Sequence, residues 1–289
     1  MTEDKGMNTG YDKLVKAENA LDYTLVAGVS ANSFSFCIFD NSLKRFLAAG
    51  SEVFDGMHNN LQLVEKLEAV TGRRKELLMD YGKKILLHES ERSTLVPWPL
   101  FDEKQADCYH HFNHVPDDGE QVCVNRLKNP EAYNLYSVPT NVVGVMENAF
   151  GPMEIRHHSG ALTEGLLGRF KNVPGGAVTV VNVRSSAFDI VIIENQKLQL
   201  LNSFAFRTAE DFIYFLLFVF EQMKLNPETD AVLLSGNIAK SSRLYELLYR
   251  YIRNIDFIER PDAAEYSYVF DEVPQHYYYH LFQAALCEL

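Results

Sequence analysis

Cysteine is scarce in this chain, tryptophan occurs once, and no long apolar run exists. The four cysteines, Cys37, Cys108, Cys123 and Cys287, lie far apart and form no CxxC pair. That excludes a disulfide scaffold and makes a reducing, cytoplasmic compartment the expectation. The longest apolar run, Phe212 to Phe220, is interrupted by a tyrosine and falls well short of the about 20 residues a membrane span needs. Cations are also short: 27 Lys and Arg stand against 39 Asp and Glu, for a net charge of -12. Nucleic-acid affinity comes mainly from Lys and Arg neutralising phosphates, so no nucleic-acid partner is expected. The start, Met1 to Asn19, lacks the basic-then-apolar order of a signal peptide and reads as a loose tail.

Several catalytic signatures are missing too. No G-x-G-x-x-G follows a strand, which argues against a dinucleotide fold. Ser159-Gly160 and Ser235-Gly236 stand outside a G-x-S-x-G frame. His276 and His280 are four apart on an expected helix, but the Glu of HExxH is absent, and Tyr277, Tyr278 and Tyr279 suggest a packed helix instead. Cys108, His110, His111, His114 and Cys123 crowd one region in a spacing that matches no zinc motif, so polar surface is expected and no metal site. Arg73-Arg74-Lys75 with Lys83-Lys84 reads as a solvated loop and helix end. The prolines around Trp98 make Val96 to Leu100 an irregular or edge segment, with Trp98 either an interaction anchor or a cap on the core.

What is present is a large apolar share, 47% of 289 residues, and an internal likeness. Val26 to Leu47 lies over Val180 to Leu201 without a gap. Val26 meets Val180, Val29 meets Val183, Phe34 meets Phe188, Ile38 meets Ile192, Asn41 meets Asn195 and Leu47 meets Leu201. Both segments read as β-meanders, with small polar turns at Ser30-Ala31-Asn32-Ser33 and Arg184-Ser185-Ser186-Ala187. After the first come a helix from Asn59 to Val70, ended by Gly72, and an apolar strand, Lys84 to His88. After the second come a helix from Ala209 to Lys224, with Thr208 and Asp211 as a capping pair, and an apolar strand, Ala231 to Leu234. That helix is apolar nearly all round and is expected between layers. A helix (Ser242 to Arg253), a strand (Asp256 to Glu259) and a last helix opened by Pro274 complete this half. Between the halves are strands at Gln121 to Arg126, Asn134 to Val138 and Met153 to Arg156, and helices capped by Thr140 and Ser159. Pro174-Gly175-Gly176 marks the boundary. The expected division is a flexible tail over 1–21, one half over 22–172 and a second over 173–289.

Two three-stranded meanders, each followed by alternating helices and strands, resemble the actin-like (ribonuclease H-like) α/β fold of actin, Hsp70, sugar kinases and PilM. As a whole the sequence looks like the DUF3822 family of unknown function. The resemblance implies phosphate contacts at the first turn of each meander and a Gly-Gly turn under a nucleoside. The positions that match are Ser30 and Asn32 in the first turn, Asn182, Arg184, Ser185 and Ser186 in the second, and Ser235, Gly236 and Asn237 in the nucleoside turn. The acids of the pattern are missing: the first turn has none, and Asn182 stands where the second belongs. An amide is no general base, and a magnesium site needs carboxylates. The expectation is therefore a pseudo-ATPase that binds a protein partner, without catalytic residues or cofactor. The alternative is a divergent ATPase or phosphotransferase holding Mg-ATP through other acids, such as Asp40 or Asp189.

Overall fold

The computed structural model describes residues 9–57, 60–173 and 176–287. Asn59, expected to open the first helix, Pro174 and Gly175 of the boundary loop, and residues 1–8 of the expected tail lie outside them.

In chain order the elements are β1 (Tyr23–Ser30), β2 (Ser33–Asp40), β3 (Arg45–Val53), α1 (Asn60–Arg73), β4 (Lys83–Glu89), β5 (Ser93–Pro97), α2 (Ala106–Asn113), β6 (Glu120–Leu127), β7 (Ala132–Pro139), α3 (Thr140–Phe150), β8 (Glu154–His157) and α4 (His158–Arg169). Then follow β9 (Ala177–Val183), β10 (Ala187–Glu194), β11 (Lys197–Ala205), α5 (Ala209–Gln222), β12 (Val232–Gly236), α6 (Arg243–Tyr251), β13 (Ile255–Phe257), β14 (Glu265–Tyr266) and α7 (Tyr279–Leu286). One sheet has the order β14-β3-β2-β1-β4-β8 and another β11-β10-β9-β12-β13, so each places a meander beside two parallel strands in the same spatial sequence. A third sheet, β5-β7-β6, is inserted between β4 and β8.

Alternation along the strands explains the layering. Leu25, Ala27 and Val29 point to a core with Leu63, Leu67, Val142 and Met146 of α1 and α3. Val26, Ile85 and Leu87 point the other way, onto Leu281 and Phe282 of α7. In the second sheet Val181 and Val183 face α5 and α6, while Val180 and Val191 face Leu162 and Leu166 of α4. Helices α4 and α7 thus lie between the two sheets and against each other.

The gapless overlay holds through both hairpins: Val29 pairs with Phe34, and Val183 with Phe188. Both β2 and β10 carry an irregularity at matching positions, Ile38/Phe39 and Ile192/Ile193. The overlay fails at the third strand. Four residues, 41–44, join β2 to β3, but only Asn195 and Gln196, both at positive φ, join β10 to β11. A two-residue hairpin loop with two left-handed residues is a tight primed turn. Ala48 pairs with Ile38 and Leu200 with Ile192, so the third strands are offset by two residues and Leu47 does not match Leu201.

Other expectations need correction. Within 9–21 the expected tail is attached: the Thr9 amide donates to the Ala49 carbonyl at 2.9 Å and that of Asp12 to Leu47 at 3.0 Å. These bonds cover the free edge of β3. Helix α5 has its capping box at Thr208 and Asp211, but it is a surface helix, with Tyr214 64% and Phe218 46% exposed. Thr140 is the first residue of α3 rather than its cap, and the α4 cap is His157, whose ring accepts the Ser159 amide. The last helix starts at Tyr279, because Tyr278 has φ +61° and breaks the helix there. Trp98 is half-buried, donating to the Ala132 carbonyl at 3.1 Å under the Arg126 guanidinium, and so caps the inserted sheet.

Candidate functional site

Strand β1 runs parallel to β4, and β9 parallel to β12, so their carboxyl ends and the two hairpin tips converge on one crevice. Open α/β sheets offer ligands this side. The crevice is narrow, with a cavity volume of about 60 Å³, and its walls include Ser33, Ser35, Glu89, Tyr277, Tyr278 and His280. Of the residues expected from sequence, Arg184, Ser185, Gly236 and Asn237 also line it.

The two tips touch. Ser185 Oγ donates to Asn32 Oδ1 at 2.5 Å, with Ser186 Oγ at 3.5 Å from the same oxygen. Ser30 Oγ lies 2.6 Å from Ser33 Oγ. The bonds to Asn32 thus join the two tips, and the Ser30–Ser33 contact closes the first turn on itself.

Beneath the second tip lies a closed polar cluster. Asp189 is fully buried and accepts Arg184 through Nε and Nη2, both at 3.2 Å, Asn182 Nδ2 at 2.9 Å and Ser203 Oγ at 2.6 Å. His158 Nε2 lies 3.0 Å from the same carboxylate. Ser235 Oγ donates to Asn182 Oδ1 at 3.0 Å, which occupies that amide's other end. Burial alone would raise the Asp189 carboxyl, yet Arg184, His158 and the hydrogen bonds hold it well below its ordinary range. Arg184 also reaches Glu91 at 3.1 Å and so ties the second half to the first. It is 5% exposed, a buried structural cation, where the sequence suggested an anion contact.

The turn expected to lie under a nucleoside spends its amides on the protein itself. The Gly236 amide donates to the His276 carbonyl at 2.8 Å and that of Asn237 to Val183 at 2.7 Å. Gly236 has φ +81°, and a Cβ there would stand 2.1 Å from the Val183 carbonyl oxygen. Gly236→Ala should therefore destabilise the fold by about 3 kcal/mol, read as a lower denaturation midpoint at unchanged m. An unchanged midpoint would show that the turn relaxes freely.

One functional side chain was missed. Glu89 ends β4 and pairs in register with Ser30, so a carboxylate stands beside the first turn after all. It is 5% exposed, accepts Ser35 Oγ at 3.2 Å and lies 3.2 Å from His280 Nε2. Burial pushes it up, but His280, His158 and Arg184 bring it down to about 2. The signal was available: an acid closes the apolar run Ile85-Leu86-Leu87 at the ligand end of a parallel strand. Gly28 makes room for it, since a Cβ there would meet Ser35 Oγ at 2.2 Å and Glu89 Oε1 at 2.7 Å.

The remaining candidates separate. Asp40 sits at the opposite end of β2 and caps the turn amides of Ser42 and Leu43, each at 2.8 Å. His276 precedes α7 and meets the Ile238 carbonyl at 2.7 Å, so it shares no helix face with His280. His110 is buried on α2 while Cys108 faces solvent. Among the described residues no group of three or more His, Cys, Asp or Glu side chains is placed to hold a metal. Nor, among them, is any helix long and apolar enough to cross a membrane.

Comparison with known proteins places the fold. The family described as "Protein of unknown function (DUF3822)" matches residues 12–255. A Bacteroides thetaiotaomicron protein with an actin-like ATPase fold and unknown function superposes with a TM-score of 0.75 at 23% identity, covering 94% of this chain and 99% of its own. The PilM–PilN type IV pilus biogenesis complex follows at 0.56 and 13%, covering 91% and 96%. No curated protein matches. The chain has the actin-like ATPase fold.

Proposed function

The chain belongs to the DUF3822 family, and from that premise we propose that it is a cytoplasmic actin-like adaptor that holds a protein partner and does not turn over nucleotide. The observation that carries the reading is the bond from Ser185 to Asn32, which joins the tips where phosphates would lie. Two further features support it. Asp189 is saturated by Arg184, His158, Asn182 and Ser203, which leaves it no open position for a metal or an attacking water. Gly236 and Asn237 spend their amides on the protein's own carbonyls. The PilM structure was solved with PilN, which is the precedent for a protein partner on this fold. We take the two sheets to be copies of one duplicated unit, divided near residue 173, with the offset third strand a later change of loop length.

Titration calorimetry with Mg-ATP tests the reading. No heat of binding and no phosphate release are expected up to 1 mM, on the order of a Kd weaker than 4 kcal/mol of binding. Micromolar affinity with turnover would reject it. That outcome would favour an ATP-binding ATPase or phosphotransferase whose carboxylate is Glu89, the acid beside the first turn. In that case Ser185→Asp, which sets a negative charge against the phosphates, should abolish binding, whereas Ser30, buried beside Glu89, cannot take an acid without loss of stability.

A further inference from the structure

The inserted sheet carries a feature that the crevice does not use. A groove of about 350 Å³ lies where α2 crosses β5, and its walls include Thr94, Val96, Cys108, Tyr109 and Phe112. Single exposed apolar residues need no explanation, but a contiguous set does. Here Phe112 on the groove wall is 88% exposed, with Val115 at 83% and Leu100 at 67% on the flanking segments. The backbone of those segments is tied down. Tyr109 Oη donates to the Leu100 carbonyl at 2.7 Å, and the Tyr109 ring stands 6.0 Å from Phe101. Arg92 donates to the Val115 carbonyl, and the His114 ring lies 3.3 Å from that of Ser93. The apolar surface is thus built on a helix and a strand whose side chains are fixed from behind.

Acids outnumber cations on α2 and the segments that flank it, with Arg126 held apart over the Trp98 ring. Between residues 102 and 118 the acids Asp102, Glu103, Asp107, Asp117 and Asp118 are all exposed, against the single cation Lys104. Arg92, the next cation before them, is paired with Glu120 at 3.0 Å. A second copy of a chain with net charge -12 would bring like charges together, and an anionic lipid surface would be repelled. The geometry points to this groove as the docking site for a basic segment of a partner protein, with large apolar side chains spaced among Lys and Arg. It rests on the adaptor reading and gives that reading a place and a partner chemistry.

The test pans random twelve-residue peptides, displayed on phage, against the full chain, and repeats the panning on Phe112→Asp. Phe112 is exposed, so the variant should keep its Tm. The expected result is enrichment of peptides with net positive charge and at least two of Leu, Ile, Phe or Trp. As synthetic peptides they should bind at least tenfold more weakly to Phe112→Asp and to Asp117→Lys/Asp118→Lys, and several-fold more weakly in high salt. Neutral or acidic winners, no enrichment, or equal binding to Phe112→Asp would overturn the assignment. So would self-association of the wild type in sedimentation that Phe112→Asp abolishes, because the occupant would then be a second copy. The Mg-ATP titration is independent of this groove. If it stays silent while the panning fails, the site is rejected and the adaptor reading stands.

Discussion

Arg184→Met is expected to remove about 3–5 kcal/mol of stability, the cost of leaving a buried carboxylate without its cation. For a chain of this size that is a fall in Tm on the order of 10 °C. Asp189 is fully buried, and Arg184 holds it through two nitrogens. His158, Asn182 and Ser203 remain in the variant, but none replaces a permanently charged guanidinium at 3.2 Å. The link to Glu91 is lost as well, yet Glu91 is exposed, and an exposed pair contributes little. The diagnostic measurement is the double variant. Adding Asp189→Asn removes the stranded charge and keeps an acceptor for Ser203, so more than half of the loss should return. A double variant no more stable than Arg184→Met would show that charge is not what this cluster contributes.

The second large effect is a loss of stability in mild acid. His88 on β4 and His157 on β8 are paired neighbours, His157 fully buried and His88 nearly so, with ring centroids 6.0 Å apart. Burial comes first and holds both imidazoles neutral, with His88 brought down to about 3 and His157 well below its ordinary value. Neighbouring charge adds to this: His158 and Arg184 lower both groups and Arg92 lowers His88, while Glu89 raises His88 and Asp189 raises His157. In the unfolded chain each His titrates near about 6.5, so below that pH the unfolded state binds more protons. Their contribution is complete above that value and declines as pH falls toward the folded value. At pH 5 the loss is about 2 kcal/mol for each, or on the order of 10 °C in Tm for the two together. Glu89 and Asp189 shift the other way and lose their contribution only as pH falls below the unfolded carboxylate range, near about 4. They leave the window from pH 7 to 5 unaffected. Thermal melts across that window, with His88→Leu as a variant of shallower slope, check the account. A Tm that stays level from pH 7.5 to 5 would refute it.

The meanders were legible in sequence because runs of β-branched and aromatic residues and small polar turns are local signals. Tyr23 to Asp40 carries both, and so does Ala177 to Glu194. The offset between β3 and β11 was hidden, because loop length was read by aligning Asn41 with Asn195, and only pairing reveals that two residues are missing. The turn Ser235-Gly236-Asn237 was picked out in sequence, but the groups that accept its amides, the carbonyls of His276 and Val183, come from other parts of the chain. Arg184 was read as an anion contact in the second turn, whereas the partner that draws it inward, Asp189, faces it only after β10 folds back on β9. Glu89 was missed for the same reason, since its neighbour Ser30 is adjacent through strand pairing and distant in sequence. Helix α2 was overlooked because a stretch rich in His and Asp has weak helical periodicity, and its packing on the inserted sheet decides the matter.

Helix α7 has a consequence for biosynthesis. It covers Val26, Ile85 and Leu87, whose strands leave the ribosome some two hundred residues earlier. Until Leu281 and Phe282 have emerged, that face of the first sheet stays open, and α4 has no neighbour on its α7 side. Neither half can finish folding as translation proceeds. The nascent chain must be kept from sticking to others until α7 is made, and a message truncated before α7 should yield an insoluble product.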